Sequence, residues 1–89
     1  MSRIESVGVI GAGVIGSGWI ARFLLNGIDV AVYDPSKDAP KNVNKVIQNA
    51  ERAYAQLLAS DLPKRGALTF KKTIAEASKS ADIIIEAVP

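Results

Sequence analysis

Residues 7–16 have the sequence VGVIGAGVIG, an apolar run that passes directly into a glycine-rich loop. The run over residues 4–10 is short and rich in β-branched residues, and Gly11 ends it, which predicts a strand buried on both faces. From Val14 onward apolar residues recur at helical spacing, and Asn26-Gly27 provides a helix stop. The stretch therefore predicts a strand, a glycine turn and a helix in direct succession.

The same alternation continues along the chain. Residues 28–33 predict a second strand, which ends at Asp34-Pro35 because proline opens a turn there. A long amphipathic helix follows Ser36 and Asp38, either of which can cap it, and Asp61-Leu62-Pro63 ends it. Its apolar face is predicted to consist of Val43, Ile47, Ala50, Tyr54, Leu57 and Leu58.

The last third of the chain repeats the pattern in shorter form. Residues 68–70 predict a third strand, and Thr73 with Glu76 forms a capping box in front of a short helix. Residues 82–88 predict a fourth, apolar strand. Alternating strands and helices indicate an α/β fold with a parallel sheet and right-handed crossovers. If the chain winds as dinucleotide-binding folds do, we expect the first four strands of a truncated, doubly wound, Rossmann-type sheet of order 3-2-1-4, with a ligand crevice between strands one and four.

Composition restricts the function. The chain has 89 residues, enough for one domain at most, and its net charge of +2 comes from scattered residues that form no basic face for nucleic acid. It contains no cysteine and no histidine, so we expect no disulfide and no metal site. The N-terminus lacks a secretory signal, and no apolar stretch approaches the ~20 residues of a membrane span. We expect a cytoplasmic protein without a membrane segment.

The glycine loop predicts a site for a diphosphate. Gly11 allows the tight turn, Gly13 lets the backbone approach the diphosphate, and Gly16 lets the helix pack closely on the sheet. The unpaired N–H groups of the first helical turn, at the positive end of the helix dipole, then face the anion. The predicted contacts are Gly11, Ala12, Gly13, Val14, Ile15 and Gly16. The alternative is a glycine loop that only turns the chain.

Asp34 is the second element of the predicted nucleotide site. It lies 23 positions after Gly11, near the spacing at which a second strand ends beside the adenosine ribose. A carboxylate there accepts hydrogen bonds from the ribose hydroxyls and repels a 2′-phosphate, which favours NAD over NADP. The alternative is that Asp34 caps the turn that follows it. We do not expect the nearby Lys37 to outweigh the carboxylate.

Three further residues have a structural interpretation that we prefer. Trp19 shares a helical face with Ile15 and Phe23, which indicates packing in the core or against another domain. Gly18 lies outside the loop motif and is expected to allow close packing of the helix. A base or a cofactor contact is the alternative role for Glu86, in the fourth strand, although the sequence offers it no partner.

Three stretches together resemble the NAD-binding domain of the 3-hydroxyacyl-CoA dehydrogenase family. They are GVIGAGVIGSGWIA at residues 8–21, VYDP at residues 32–35 and ADIIIEAVP at residues 81–89, and the resemblance covers the whole chain. Trp19, residues 23–27 and residues 49–54 are most similar to members that oxidise L-carnitine. The resemblance adds Ala87 and Val88, at the end of strand four, to the predicted cofactor contacts.

The resemblance also implies an activity and an architecture. The activity is NAD-dependent oxidation of a 3-hydroxy group, of L-carnitine or else of a 3-hydroxyacyl-CoA. Members are usually homodimers built through a helical domain that follows the Rossmann domain and supplies the catalytic histidine. Because this chain has no histidine, we assign no catalytic residue and expect residues 1–89 alone to be an inactive fragment of the NAD-binding Rossmann domain. A non-catalytic, NAD-sensing module is the alternative from another class.

Overall fold

The computed structural model describes residues 4–57 and 64–87. Its helices and strands alternate in the predicted order. They are β1 (Ser6–Ile10), α1 (Val14–Leu25), β2 (Asp29–Tyr33), α2 (Ala39–Leu57), β3 (Leu68–Phe70), α3 (Ile74–Ser78) and β4 (Ile83–Glu86). The last residue of the predicted fourth strand, Val88, and the predicted end of the long helix at residues 61–63 lie outside the described residues.

The four strands form one parallel sheet in the order β3-β2-β1-β4. β1 pairs with β2 from Ser6 opposite Asp29 to Ile10 opposite Tyr33, and with β4 from Val7 opposite Ile83 to Ile10 opposite Glu86. The predicted order is confirmed. Since β2 and β4 lie on opposite sides of β1, the chain leaves the first strand at the point where the winding reverses.

Helices cover both faces of the sheet, as expected for a doubly wound fold. Val7 and Val9 on β1 belong to the buried cluster that also contains Ile20 and Leu24 of α1 and Val43 and Ile47 of α2. On the other face, a side chain at Gly8 would meet the Ala77 carbonyl oxygen of α3 at 2.6 Å. A strand alternates its side chains between faces, so α1 and α2 lie on one side and α3 on the other.

Several local predictions are confirmed in detail. Gly27, at the end of α1, has φ +79°, in the left-handed region where glycine is favoured. The Thr73 hydroxyl accepts a hydrogen bond from the Glu76 N–H at 3.1 Å and caps α3. Val43 and Ile47 are buried along the predicted apolar face of α2, whereas the side chains of Tyr54 and Leu57, and the whole of Leu58, lie outside the described part.

β4 is more exposed than the first two strands. It spans Ile83–Glu86, and Ile83 and Ile84 are 38% and 48% exposed. Only Ile85 packs against the buried cluster. The predicted apolar strand is present, and its exposure follows from its position, because burial depends on what lies beside a strand and β4 is an edge of the described sheet.

Candidate functional site

An open cleft of about 690 Å³ lies at the carboxyl ends of β1, β2 and β4. This is the edge where open α/β sheets bind ligands, at the reversal of strand order. Its lining contains most of the residues that the sequence predicted as contacts. They are Gly11, Gly13, Val14, Ile15, Asp34 and Ala87, together with Pro35 and Glu86.

Gly11 makes the turn out of β1. Its φ is +99°, in a region that side-chain-bearing residues rarely adopt. Its N–H donates to the Tyr33 carbonyl oxygen at 2.8 Å, so the turn is fastened to the end of β2. The conformational reason predicted for this glycine is therefore present.

Gly16 allows α1 to approach the turn. A Cβ placed on Gly16 would collide with the carbonyl oxygen of Gly11 and would touch the Ala87 side chain at 3.4 Å. Both the helix and the turn are backbone at this point, and neither can move aside as a flexible side chain would. The predicted close packing of α1 against the sheet is confirmed.

Gly13 differs from both. It is the N-cap of α1 with φ −74°, a value open to any residue, and a Cβ on it would meet no atom within 4 Å. Neither backbone conformation nor packing within the described chain requires glycine here. Gly13 lines the cleft, so a side chain at this position would project into the open space there.

The first turn of α1 presents unpaired donors to this space. The helix begins at Val14, so its first N–H groups have no partner within the helix. Gly13 supplies no capping side chain and the first turn contains no acidic residue. Val14 and Ile15 line the cleft and are 91% and 72% exposed.

Asp34 bonds to two backbone N–H groups. Its Oδ2 accepts from the Ala12 N–H at 2.6 Å, and its Oδ1 accepts from the Ser36 N–H at 2.8 Å. The bond to Ser36 is the turn-capping contact considered as the alternative in the sequence. The bond to Ala12 joins β2 to the glycine loop, and sequence reasoning did not anticipate it.

The end of β4 closes the cleft on the other side. The Ala87 N–H donates to the Ile10 carbonyl oxygen at 2.8 Å, which keeps the chain paired with β1 up to the loop. Glu86 also lines the cleft, although the sequence offered it no partner. Val88, the other predicted contact from this strand, lies outside the described residues.

The outer face of α1 corrects one expectation and refines another. A Cβ on Gly18 would meet nothing within 4 Å, so this glycine does not serve close packing among the described residues. Trp19 is 39% exposed, stacks on Phe23 with ring centroids 5.7 Å apart, and lies 5.8 Å below the Arg22 guanidinium. It is thus not a core residue of the described domain.

Metal sites and membrane spans are two further features that bear on function. No group of three or more acidic, histidine or cysteine side chains there could hold a metal ion. None of the described helices combines the length and apolar character needed to cross a membrane.

Sequence comparison connects this geometry with known proteins. Residues 6–89 match the family model for the 3-hydroxyacyl-CoA dehydrogenase NAD-binding domain. An L-carnitine dehydrogenase of Mesorhizobium japonicum is 55% identical over the whole chain, which spans 24% of that relative. An L-carnitine dehydrogenase/betainyl-CoA thioesterase of a Rhizobium species is 51% identical, and the chain spans 18% of it.

Solved structures share the fold. An NAD+-dependent dismutase, 5-formyl-3-hydroxy-2-methylpyridine 4-carboxylic acid 5-dehydrogenase, superposes with a TM-score of 0.77 at 31% identity, covering 98% of this chain and 28% of its own. A diketoreductase acting on dicarbonyl compounds superposes with a TM-score of 0.76 at 29% identity, covering 100% of this chain and 33% of its own. The chain therefore belongs to the 3-hydroxyacyl-CoA dehydrogenase family and is its NAD-binding domain.

Proposed function

We propose that NAD lies in the cleft with its pyrophosphate over the turn between β1 and α1. The observation that carries this assignment is the open space at Gly13. Neither the backbone conformation nor the packing of the described residues requires a glycine at this position. A side chain there would come between an anion and the unpaired N–H groups of the first turn of α1. The contacts we assign are residues 11–16, with Ala87 and Val88 on the β4 side.

We assign the adenosine ribose to Asp34. The carboxylate lines the cleft, and its two oxygens each accept one hydrogen bond, from the Ala12 N–H and the Ser36 N–H. An ionised carboxyl group offers about four acceptor positions, so capacity remains for ribose hydroxyls. Its negative charge opposes a 2′-phosphate, and the proposed preference is therefore for NAD over NADP.

We propose that the whole protein oxidises the 3-hydroxy group of a small molecule, with L-carnitine as the substrate. Support comes from the two relatives that are at least 51% identical over the chain and carry L-carnitine dehydrogenase in their names. NAD, when bound, supplies the hydride acceptor. The described residues supply binding and orientation of the nucleotide, and we assign none of them to proton transfer.

The proposal includes an architecture. Residues 1–89 form a fragment of the NAD-binding Rossmann domain, and a helical domain that follows the Rossmann domain supplies the catalytic group and the contacts of a cytoplasmic homodimer. The support is the family resemblance together with the relatives' length, of which this chain spans about a quarter or less. The mass of the full-length protein in solution, measured by light scattering, tests the dimer.

The substrate assignment is tested by following NADH formation by the full-length protein. The matched substrates are L-carnitine, D-carnitine and a 3-hydroxybutyryl-CoA, each with NAD and with NADP. We expect turnover with L-carnitine and NAD. Turnover with the acyl-CoA alone would overturn the carnitine assignment in favour of the other family activity.

A binding module that senses NAD without hydride transfer is the competing class of function. It shares the nucleotide site and predicts tight NAD binding with no turnover of any 3-hydroxy substrate. Calorimetry with NAD beside the turnover assay separates the classes, because an enzyme shows both binding and turnover. Absence of binding at millimolar NAD would leave the loop as a simple turn and overturn the nucleotide assignment itself.

A further inference from the structure

Asp34 makes a contact that a ribose-binding role does not require. Its Oδ2 accepts the Ala12 N–H at 2.6 Å, across the gap between the end of β2 and the glycine loop. We propose that Asp34 is a positioning residue for the glycine loop, holding the anion-binding backbone in shape in addition to contacting the ribose. The inference deepens the proposed function and rests on it.

Three hydrogen bonds hold the glycine loop in place, and the acceptors of two of them lie at the end of β2. The Gly11 N–H donates to the Tyr33 carbonyl oxygen, and the Ala12 N–H donates to Asp34. The third comes from the Ser17 hydroxyl, which donates to the Ala12 carbonyl oxygen at 2.9 Å. The shape of the loop therefore depends on where β2 ends and on the acceptor that stands there.

Ala12 is the residue through which this dependence acts. It is 3% exposed, and its N–H and C=O are both bonded within the chain. An N–H group buried in this way needs an acceptor, because water reaches it poorly. Through these two bonds Ala12 holds the loop, in addition to the cofactor contact proposed for it, while Gly13 and the first turn of α1 face the ligand space.

Asp34 is itself oriented for this bond. Its second oxygen accepts the Ser36 N–H at 2.8 Å, so the turn after β2 sets the direction of the carboxylate. Replacement by asparagine removes the charge and leaves one acceptor oxygen, which serves the Ala12 N–H when the amide nitrogen faces Ser36; replacement by alanine leaves no acceptor for either N–H. The pair Asp34→Asn and Asp34→Ala therefore separates the acceptor role from the charge.

The first test uses inorganic pyrophosphate, which offers an anion to the loop but has no ribose. Both Asp34→Asn and Asp34→Ala remove the negative charge, which by itself strengthens anion binding to the same extent. The dissociation constants of these two variants are therefore compared with each other and not with that of the wild type. We expect pyrophosphate to bind Asp34→Ala about three- to tenfold more weakly than Asp34→Asn, the range of one hydrogen bond. Equal dissociation constants for the two variants would overturn the positioning role.

The second test follows amide hydrogen exchange in the full-length protein without nucleotide. We expect the Ala12 amide to exchange about tenfold faster in Asp34→Ala than in the wild type, with Asp34→Asn between them. The Ala87 amide, which donates to Ile10, is the internal control and keeps its protection if the domain remains folded. Identical Ala12 protection in all three proteins would contradict the proposal.

These results are distinguishable from failure of the nucleotide assignment. If wild-type protein binds no NAD, the proposed function fails, while the exchange rate of Ala12 still reports the contact with Asp34. If NAD binds but Ala12 protection is independent of Asp34, only the positioning role fails. A practical consequence is that a variant selected for NADP needs to retain an acceptor for the Ala12 N–H.

Discussion

At the amino edge of the sheet, carboxylates accept hydrogen bonds from backbone N–H groups. At the carboxyl edge a carboxylate does the same, but the backbone next to it borders open space. Asp29 accepts the Ala67 N–H at 2.8 Å, and Asp82 accepts the Glu5 and Ser6 N–H groups at 2.9 and 3.2 Å. Asp34 makes the equivalent bond to Ala12 at the other edge. There, however, the next residue is Gly13, with open space before it.

The comparison shows what distinguishes a binding edge from a structural one. Both edges use short hydrogen bonds between a carboxylate and backbone N–H groups, so acidic residues at strand ends do not by themselves mark a site. The difference is the start of α1, where the first N–H groups have no partner within the helix and the N-cap residue Gly13 provides no capping side chain. Substitutions that alter one edge at a time test this account.

The largest expected effect on stability is at Gly16. In Gly16→Ala the new methyl group collides with the Gly11 carbonyl oxygen, and backbone atoms have to shift. We expect a loss of about 1–3 kcal/mol in the free energy of unfolding, as for other overpacked sites. Urea unfolding measures it, and an unchanged midpoint would mean that α1 and the loop are not as close as described.

Gly18 provides the matched control two residues later on the same helix. A Cβ there meets nothing within 4 Å, so Gly18→Ala adds helix propensity without a collision. We expect a gain of about 0.5–1 kcal/mol and unchanged NAD affinity. Destabilisation by this variant would indicate that Gly18 has a packing partner elsewhere in the protein.

The smallest effect concerns the amino edge and depends on pH. The Glu5 and Ser6 N–H groups lower the pKa of Asp82 below its ordinary value of 3.8. A carboxyl group with a depressed folded-state pKa stabilises the fold above the unfolded-state pKa, and this contribution disappears as the pH falls through the folded value.

We therefore expect wild-type protein to melt above Asp82→Asn at neutral pH, with the difference shrinking below about pH 3.8. The expected difference in melting temperature is small because the Asp82 carboxyl group is exposed to solvent. Melting temperatures of both proteins across this pH range provide the measurement. A difference that grows on acidification would reverse the sign of the assigned contribution.

Much of the carboxyl edge could be predicted because the reasons are local. The turn at Gly11 and the close approach at Gly16 depend on residues within one short segment, and both predictions are confirmed. The strand order followed from the alternation of elements together with the winding that dinucleotide-binding folds share. Asp34 was correctly placed at the end of β2, where it lines the cleft.

The remaining features depend on contacts between distant parts of the chain. The bond from Ala12 to Asp34 joins residues 22 positions apart, and it forms only because β1 and β2 end side by side. Gly18 was misjudged because helical spacing does not reveal what lies beyond the exposed face of α1. The exposure of β4 likewise depends on which elements pack beside the strand and not on its composition.

The central claim is tested most directly by NAD binding to Gly13→Val, with Gly18→Ala as control. The new side chain would occupy the space beside the first turn of α1 and displace the pyrophosphate from its donors. Losing two charge-assisted hydrogen bonds of about 1.5 kcal/mol each corresponds to a dissociation constant about a hundredfold higher. Calorimetry should show that loss for Gly13→Val and wild-type affinity for Gly18→Ala; equal affinity in all three proteins would contradict the account.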